Sequence, residues 1–340
     1  MREESPKSPS ATAQNERMAG KRVALALGSG GARGYAHIGV INELRQHGYE
    51  IVGIAGSSMG ALVGGLQAAG KVDEFAEWAK SLTQRAVLRL LDPSITAAGV
   101  LRAAKILDAV RDILGEVTIE DLPIPYTAVS TDLIAGKSVW LQRGPVDAAI
   151  RASIAIPGVI TPHVLDGRLL ADGGILDPLP MAPIAAVNAD LTIAVSLAGS
   201  EPDGHYEPAP SEPRPTTEWL TKMWRSTSSL FESNTVLSRF GGAQDGGHQD
   251  VDPAGTESDD ELVDSAKETA VPRMGSFEVM NRTIDIAQAA LARHTLAAYP
   301  PDLLIEVPRT ACRSLEFHRA AEVIDIGHDL AAQAIKTLEG

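Results

Sequence analysis

At 340 residues the chain can bury a large core, as one big domain or two modest ones; with 44% hydrophobic but only 4% aromatic residues, Ala, Val, Leu and Ile must build it. A net charge of -14 argues against nucleic acid as a partner, since phosphate binding needs a basic surface, and gives no electrostatic help toward an anionic membrane. The single cysteine, Cys312, excludes an intrachain disulfide and suits a reducing compartment. Residues 1–20 are charged and rich in Ser, Pro and Ala. Without the apolar core of a signal peptide, they read as a disordered leader of a cytoplasmic protein.

Residues 22–27 (RVALAL) read as a short strand, followed by the loop Gly28-Ser29-Gly30-Gly31-Ala32-Arg33-Gly34. Residues 35–47 carry apolar spacing at Ile38, Val40, Ile41 and Leu44, a helix closed by Gly48. Residues 51–55 (IVGIA) are a buried, β-branched strand, and residues 61–66 begin another helix. Between them lies Gly56-Ser57-Ser58-Met59-Gly60, a G-x-S-x-G nucleophile elbow with Ser58 at its centre. A serine on a sharp strand-to-helix turn sits in a strained backbone, so the chemistry needs Gly56 and Gly60 to be free of Cβ atoms. The helix that follows aims amide N–H groups at the point where negative charge develops during acyl transfer. Residues 51–70 also run twenty positions without a charge, the length of a membrane span, but their Gly and Ser content and their change of period argue against one.

The glycine loop fails as a dinucleotide fingerprint, because Arg33 occupies the last glycine position of G-x-G-x-x-G and no ribose-binding acid follows at the right place. Adjacent glycines instead let consecutive backbone N–H groups face one point, as an oxyanion hole requires. Further on, residues 71–91 read as one helix with Phe75, Trp78, Ala79 and Leu82 on a face, broken by Asp92-Pro93, and residues 95–114 as a second. Residues 126–131 and 137–142 alternate as strands, 146–153 form a helix, and 168–171 form a short strand delivering Asp172-Gly173-Gly174. Residues 191–197 are a further buried strand.

From 199 to 275 Pro, Gly, Ser, Asp and Glu dominate, which reads as an acidic, largely disordered insertion dividing a catalytic domain (21–198) from its C-terminal part (276–340). One island, Trp219, Leu220, Met223, Trp224 and Phe231, falls on a helical face, either an interfacial helix giving transient peripheral contact at the inner face of the membrane or a helix docked on the core. Residues 277–298 are a helix, 303–307 a strand, and 316–338 a closing helix.

A serine hydroxyl needs a base. His37 and His47 lie on the first helix, His163 follows Pro162 near a strand, and His205 and His248 fall in the insertion. A triad of Ser58, Asp172 and His294, His318 or His328 can be written, but each of those histidines falls within an amphipathic helix. Asp172 alone is the other base; burial beside the serine would raise its pKa and improve the match. By itself, Asp-Gly-Gly is an ordinary turn.

LGSGGARGYAHIGV, then GSSMG, then RASIAIPGVITPH leading to LLADGGILDPLP, resembles the patatin-like phospholipase family, in the bacterial branch related to neuropathy target esterase. The likeness spans about residues 22–197 and 283–307, with the insertion outside it. It implies a three-layer α/β/α fold on a mainly parallel sheet, a Ser58–Asp172 dyad without histidine, and an oxyanion loop of Gly30, Gly31, Ala32, Arg33 and Gly34. The expected activity is hydrolysis of phospholipid or lysophospholipid esters, with no metal or cofactor. Ser29 departs from the family, whose loop more often has glycine there, and so does Asp177, where related chains often have asparagine. An acyltransferase or thioesterase would use the same dyad, and a non-catalytic regulatory protein would act through the insertion.

Overall fold

Strand β1 (Arg22–Leu27) shows why this chain builds layers. Its Val23, Leu25 and Leu27 face one side of the sheet and its Ala24 and Ala26 the other, all buried. The computed structural model describes residues 20–90, 104–157, 159–199 and 276–339. The expected leader, the break at Asp92-Pro93, the insertion and the Trp219 island lie outside the described residues, apart from Gly20 and Gly199 at their edges; Gly199 ends a strand rather than beginning the insertion.

The other strands are β2 (Glu50–Ser57), β3 (Tyr126–Asp132), β4 (Lys137–Leu141), β5 (His163–Leu165), β6 (Arg168–Asp172), β7 (Leu191–Gly199) and β8 (Leu303–Pro308). They form one sheet in the order β5-β6-β3-β2-β1-β7-β8, with β4 paired to β3. The pairs β3–β2–β1–β7–β8 are parallel; β4, β5 and β6 join antiparallel. The helices are α1 (Ala36–Gln46), α2 (Met59–Ala68), α3 (Val72–Lys80), α4 (Gln84–Leu90), α5 (Ala104–Leu114), α6 (Val146–Ser153), α7 (Ser276–Ala298) and α8 (Ala320–Glu339).

The large face of β1 packs under α1, α2, α3, α6 and α8 in the main core, where Ile38, Ile41, Leu44, Leu66 and Ile150 are fully buried; each such side chain contributes ~1.5–3 kcal/mol. The alanine face, with Ala55 and Ala194, lets Ala292 of α7 and the short turn at Ala182–Ile184 approach closely. The result is a mostly parallel three-layer α/β/α arrangement. Among the described residues, no helix is long and apolar enough to cross a membrane; the uncharged stretch after residue 50 divides into β2 and the ten-residue α2.

Two helix boundaries and one short strand differ from the sequence reading. The helix expected over 71–91 breaks after Lys80, because the Ser81 hydroxyl donates back to the Trp78 carbonyl at 2.6 Å and Thr83 caps a new helix by accepting from Ala86 N–H at 3.2 Å. The closing helix begins at Ala320 after a 3-10 turn, Phe317–Arg319. Strand β5 is only three residues long, too short for its alternation to register in the sequence.

Candidate active site

The register of β3 brings the key side chains together. Val129 and Ala128 pair with both β2 and β4, so those two strands flank β3 on opposite edges. Ser130 to Asp132 pair with β4 and β6, so β6 continues the edge that β2 leaves. Ser57 stands opposite Val129 and Asp172 opposite the next residue, Ser130. The end of β2 and the end of β6 therefore meet.

At that junction Ser58 adopts φ 55 and ψ -122, one of two non-glycine residues with positive φ among the described residues. That conformation costs on the order of 1–3 kcal/mol and persists only where the surroundings over-determine it. They do so here. A Cβ on Gly56 would collide with the Gly60 carbonyl, and a Cβ on Gly60 with the Leu27 carbonyl. Ser58 N–H donates to Ser153 Oγ at 2.9 Å, whose hydroxyl donates to the Val129 carbonyl at 2.6 Å, tying the elbow to β3. Sequence reasoning missed Ser153, an unremarkable serine at the end of α6. Gly60→Ala is expected to destabilise the fold by about 1–3 kcal/mol through overpacking, seen as a lower thermal midpoint.

Ser58 Oγ–H donates to Asp172 Oδ2 at 2.5 Å, and Asp172 Oδ1 accepts from Gly174 N–H at 2.7 Å. Asp172 N–H is held by the Ala155 carbonyl at 3.0 Å. Burial pushes the Asp172 carboxyl up from 3.8 to about 6, against the lowering influence of the bonds from Ser58 and Gly174. Gly173 and Gly174 leave room that side chains would fill: a Cβ on Gly173 would collide with the Val129 carbonyl, and one on Gly174 with Ser29 Oγ. The unusual Ser29 thus lies against the Asp-Gly-Gly turn. Asp177 is half-buried, and that burial pushes it up to about 6.

No histidine hydrogen-bonds Ser58 or Asp172 among the described residues. His37 is buried, is held near 4 by that burial, and bonds the Gly28 carbonyl at 2.9 Å through Nε2. His328 pairs with Glu43 of α1 at 2.7 Å.

The glycine loop is not a free coil. Gly31–Tyr35 forms a 3-10 turn with Gly31 at φ 58. Ala32 N–H donates to the Ser314 carbonyl at 2.9 Å and so is not an open donor, which narrows the expected oxyanion set. The N–H groups of Gly30 and Gly31 have no acceptor among the described residues, nor do those of Met59 and Gly60 at the start of α2. The Arg33 side chain is buried and engaged elsewhere, and Gly34 packs against Met59.

Beside Ser58 opens an apolar cavity of about 60 Å³, lined by Gly31, Met59, Leu62, Trp78, Ile160 and Phe317 among others. Its walls come from the elbow helix, from α3 to α5, from the segment after α6 and from the loop before α8.

Comparison with known proteins finds relatives at the level of sequence. Residues 25–185 match the family model of patatin-like phospholipases. The chain is 69% identical over 337 residues to an NTE family protein of Mycobacterium tuberculosis, covering 94% of this chain and 92% of that protein. It belongs to the NTE family of patatin-like phospholipase proteins, and that membership implies lipid hydrolase activity. Neuropathy target esterase sws of Drosophila melanogaster is 32% identical over 193 residues, covering 55% of this chain and 13% of that protein. VipD of Legionella pneumophila is a looser likeness, at 14% identity and a TM-score of 0.41 over 94% of this chain and 67% of that one.

Proposed function

We propose that this protein is a serine hydrolase of phospholipid or lysophospholipid acyl esters, acting through a Ser58–Asp172 dyad. The observation that carries the reading is the 2.5 Å contact between a strained serine and a buried carboxylate at the edge of an apolar cavity. Ser58 Oγ attacks the ester carbonyl while its proton passes to Asp172. The tetrahedral oxyanion takes N–H bonds from Gly30 and Gly31 and from the start of α2, where the helix dipole adds to them. The intermediate collapses, the alcohol leaves with the proton from Asp172, and the acyl group remains on Ser58. Water, deprotonated by Asp172, then releases the fatty acid by the reverse sequence. An Asp near its ordinary value would be a weak base for serine; one raised to about 6 is better matched.

The cavity supports an acyl chain as the substrate's apolar part, since burying each CH₂ is favourable by ~0.8 kcal/mol. Ile160→Trp, which fills that cavity, is expected to cut turnover of a palmitoyl ester roughly tenfold or more. Turnover of a butyryl ester should hardly change. The test is a chain-length series on lysophospholipids and simple esters, with free fatty acid measured as product. Equal losses on both esters, or no release of fatty acid from any lipid by the wild type, would count against the reading.

A further inference from the structure

The mechanism above uses the backbone of the glycine loop but leaves the loop's one charge without a task. Arg33 has a side chain only 5% exposed. Its Nη2 donates to Asp285 Oδ1 at 3.0 Å, its Nε to the Gly30 carbonyl at 3.3 Å, and its Nη1 to the Arg309 carbonyl at 3.5 Å. Asp285 belongs to α7 and Arg309 follows β8, so both partners come from the far end of the chain.

The bond to Gly30 bears on the chemistry. A trans peptide is planar, so its C=O and N–H point in opposite directions. Holding the Gly30 carbonyl on the Arg33 side therefore turns the Gly31 N–H to the other side. Gly31 lines the cavity together with Ser58. The next peptide is fixed as well, because the Ser314 carbonyl accepts from Ala32 N–H at 2.9 Å, close enough that any Cβ on Gly31 would collide with it. The first of the two peptides flanking Gly31 is held by Arg33, itself tied to Asp285 252 positions on, and the second directly by Ser314. A buried guanidinium without a counter-charge would be costly, and Asp285 supplies that charge.

We propose that Arg33 and Asp285 are positioning residues for the oxyanion donor Gly31, a latch by which the C-terminal segment sets the catalytic loop, and that Arg33 does not bind the substrate's headgroup. The inference rests on the hydrolase reading above. With its charge engaged by Asp285, Arg33 acts on rate through the direction of one N–H, not on binding.

The experiment measures wild type beside Asp285→Asn, Asp285→Glu and Arg33→Lys on a monoacyl ester. Asp285→Asn should lower kcat roughly 10- to 100-fold, less than the ~10²–10³ that follows deletion of an oxyanion donor. KM should stay within about twofold, as expected for a group that matters only in the transition state. Affinity for an alkyl trifluoromethyl ketone, whose adduct places an oxyanion in the same position, should fall by the same factor as kcat. Affinity for the fatty-acid product should not change. Asp285→Glu should recover most of the rate. Arg33→Lys keeps the charge but loses the geometry of the fork, and should resemble Asp285→Asn; it gives the same reading if Asp285→Asn does not fold. A lowered thermal midpoint with kcat and ketone affinity unchanged would overturn the latch. So would a KM that rises only for anionic headgroups, which would make Arg33 a headgroup ligand. Wild type without ester turnover would overturn the hydrolase reading and the latch together, whereas an active wild type with indifferent variants overturns the latch alone.

Discussion

Ser58→Ala is expected to lower ester turnover by at least ~10³-fold, because every covalent step passes through the Oγ that the change removes. The loss should appear in kcat with substrate binding kept, since the change takes only a hydroxyl from the edge of the cavity and leaves its apolar lining in place. Folding should survive. Ala carries the same Cβ as Ser, so the positive φ is no worse tolerated, and the N–H bond to Ser153 that pins the elbow is a backbone bond. A circular-dichroism melt within a few degrees of wild type, alongside the lost turnover, checks both halves.

Asp172→Asn carries the second large effect, and it has two signs. Turnover should fall by roughly 10³–10⁴-fold, the scale seen when an acid–base group is removed from a serine nucleophile. Stability near neutral pH should rise. The folded carboxyl is raised from 3.8 to about 6 by burial. Between those values the folded chain holds a proton that the unfolded chain has released, so stability declines as pH rises through the window and the full penalty is present above it. At 1.36 kcal/mol per pH unit the difference amounts to about 3 kcal/mol against the ionised folded state. Asn removes that charge while still accepting from Gly174 N–H and facing Ser58. The variant should therefore melt higher than wild type at neutral pH and lose the advantage in acid, below the carboxyl's ordinary range. A group kept at a cost to stability marks a site selected for chemistry rather than for the fold. A variant less stable than wild type at every pH would place the carboxylate among structural groups.

Much of the fold was legible because its signals are local. The apolar runs of β1, β2 and β7 and the apolar spacing of α1 and α6 each declare their own element, and the observed bounds lie within two residues of the expected ones. Gly56, Gly60, Gly173 and Gly174 drew notice for a different reason, since a serine in a strained turn and an aspartate at a strand end both demand close approach; in the structure a Cβ at each would meet a backbone carbonyl or, at Gly174, Ser29 Oγ.

What stayed hidden was long-range. Nothing in the sequence near Ser58 says that β6 will take over the edge of β3 where β2 stops, yet that handover is what sets Asp172 beside the serine. Ser153, Asp285 and Ser314 are single polar residues in ordinary surroundings, and their partners lie 95, 252 and 282 positions away. Ala32 was read as part of the donor loop for the same reason, since its engagement with Ser314 depends on a segment from the other end of the chain. The break after Lys80 was local but subtle, resting on two hydroxyls, Ser81 and Thr83, whose preference for bonding the backbone outweighed the helical spacing around them.

The most direct test of the dyad is the rate of fluorophosphonate labelling as a function of pH, for wild type beside Asp172→Asn, with the adduct mapped by mass spectrometry. The account predicts a single adduct on Ser58, a rate that rises with pH through a midpoint near 6 as Asp172 becomes a free base, and loss of that rise in the variant. An adduct on another residue, or labelling of Ser58 at the same rate and with the same pH profile in both proteins, would contradict it.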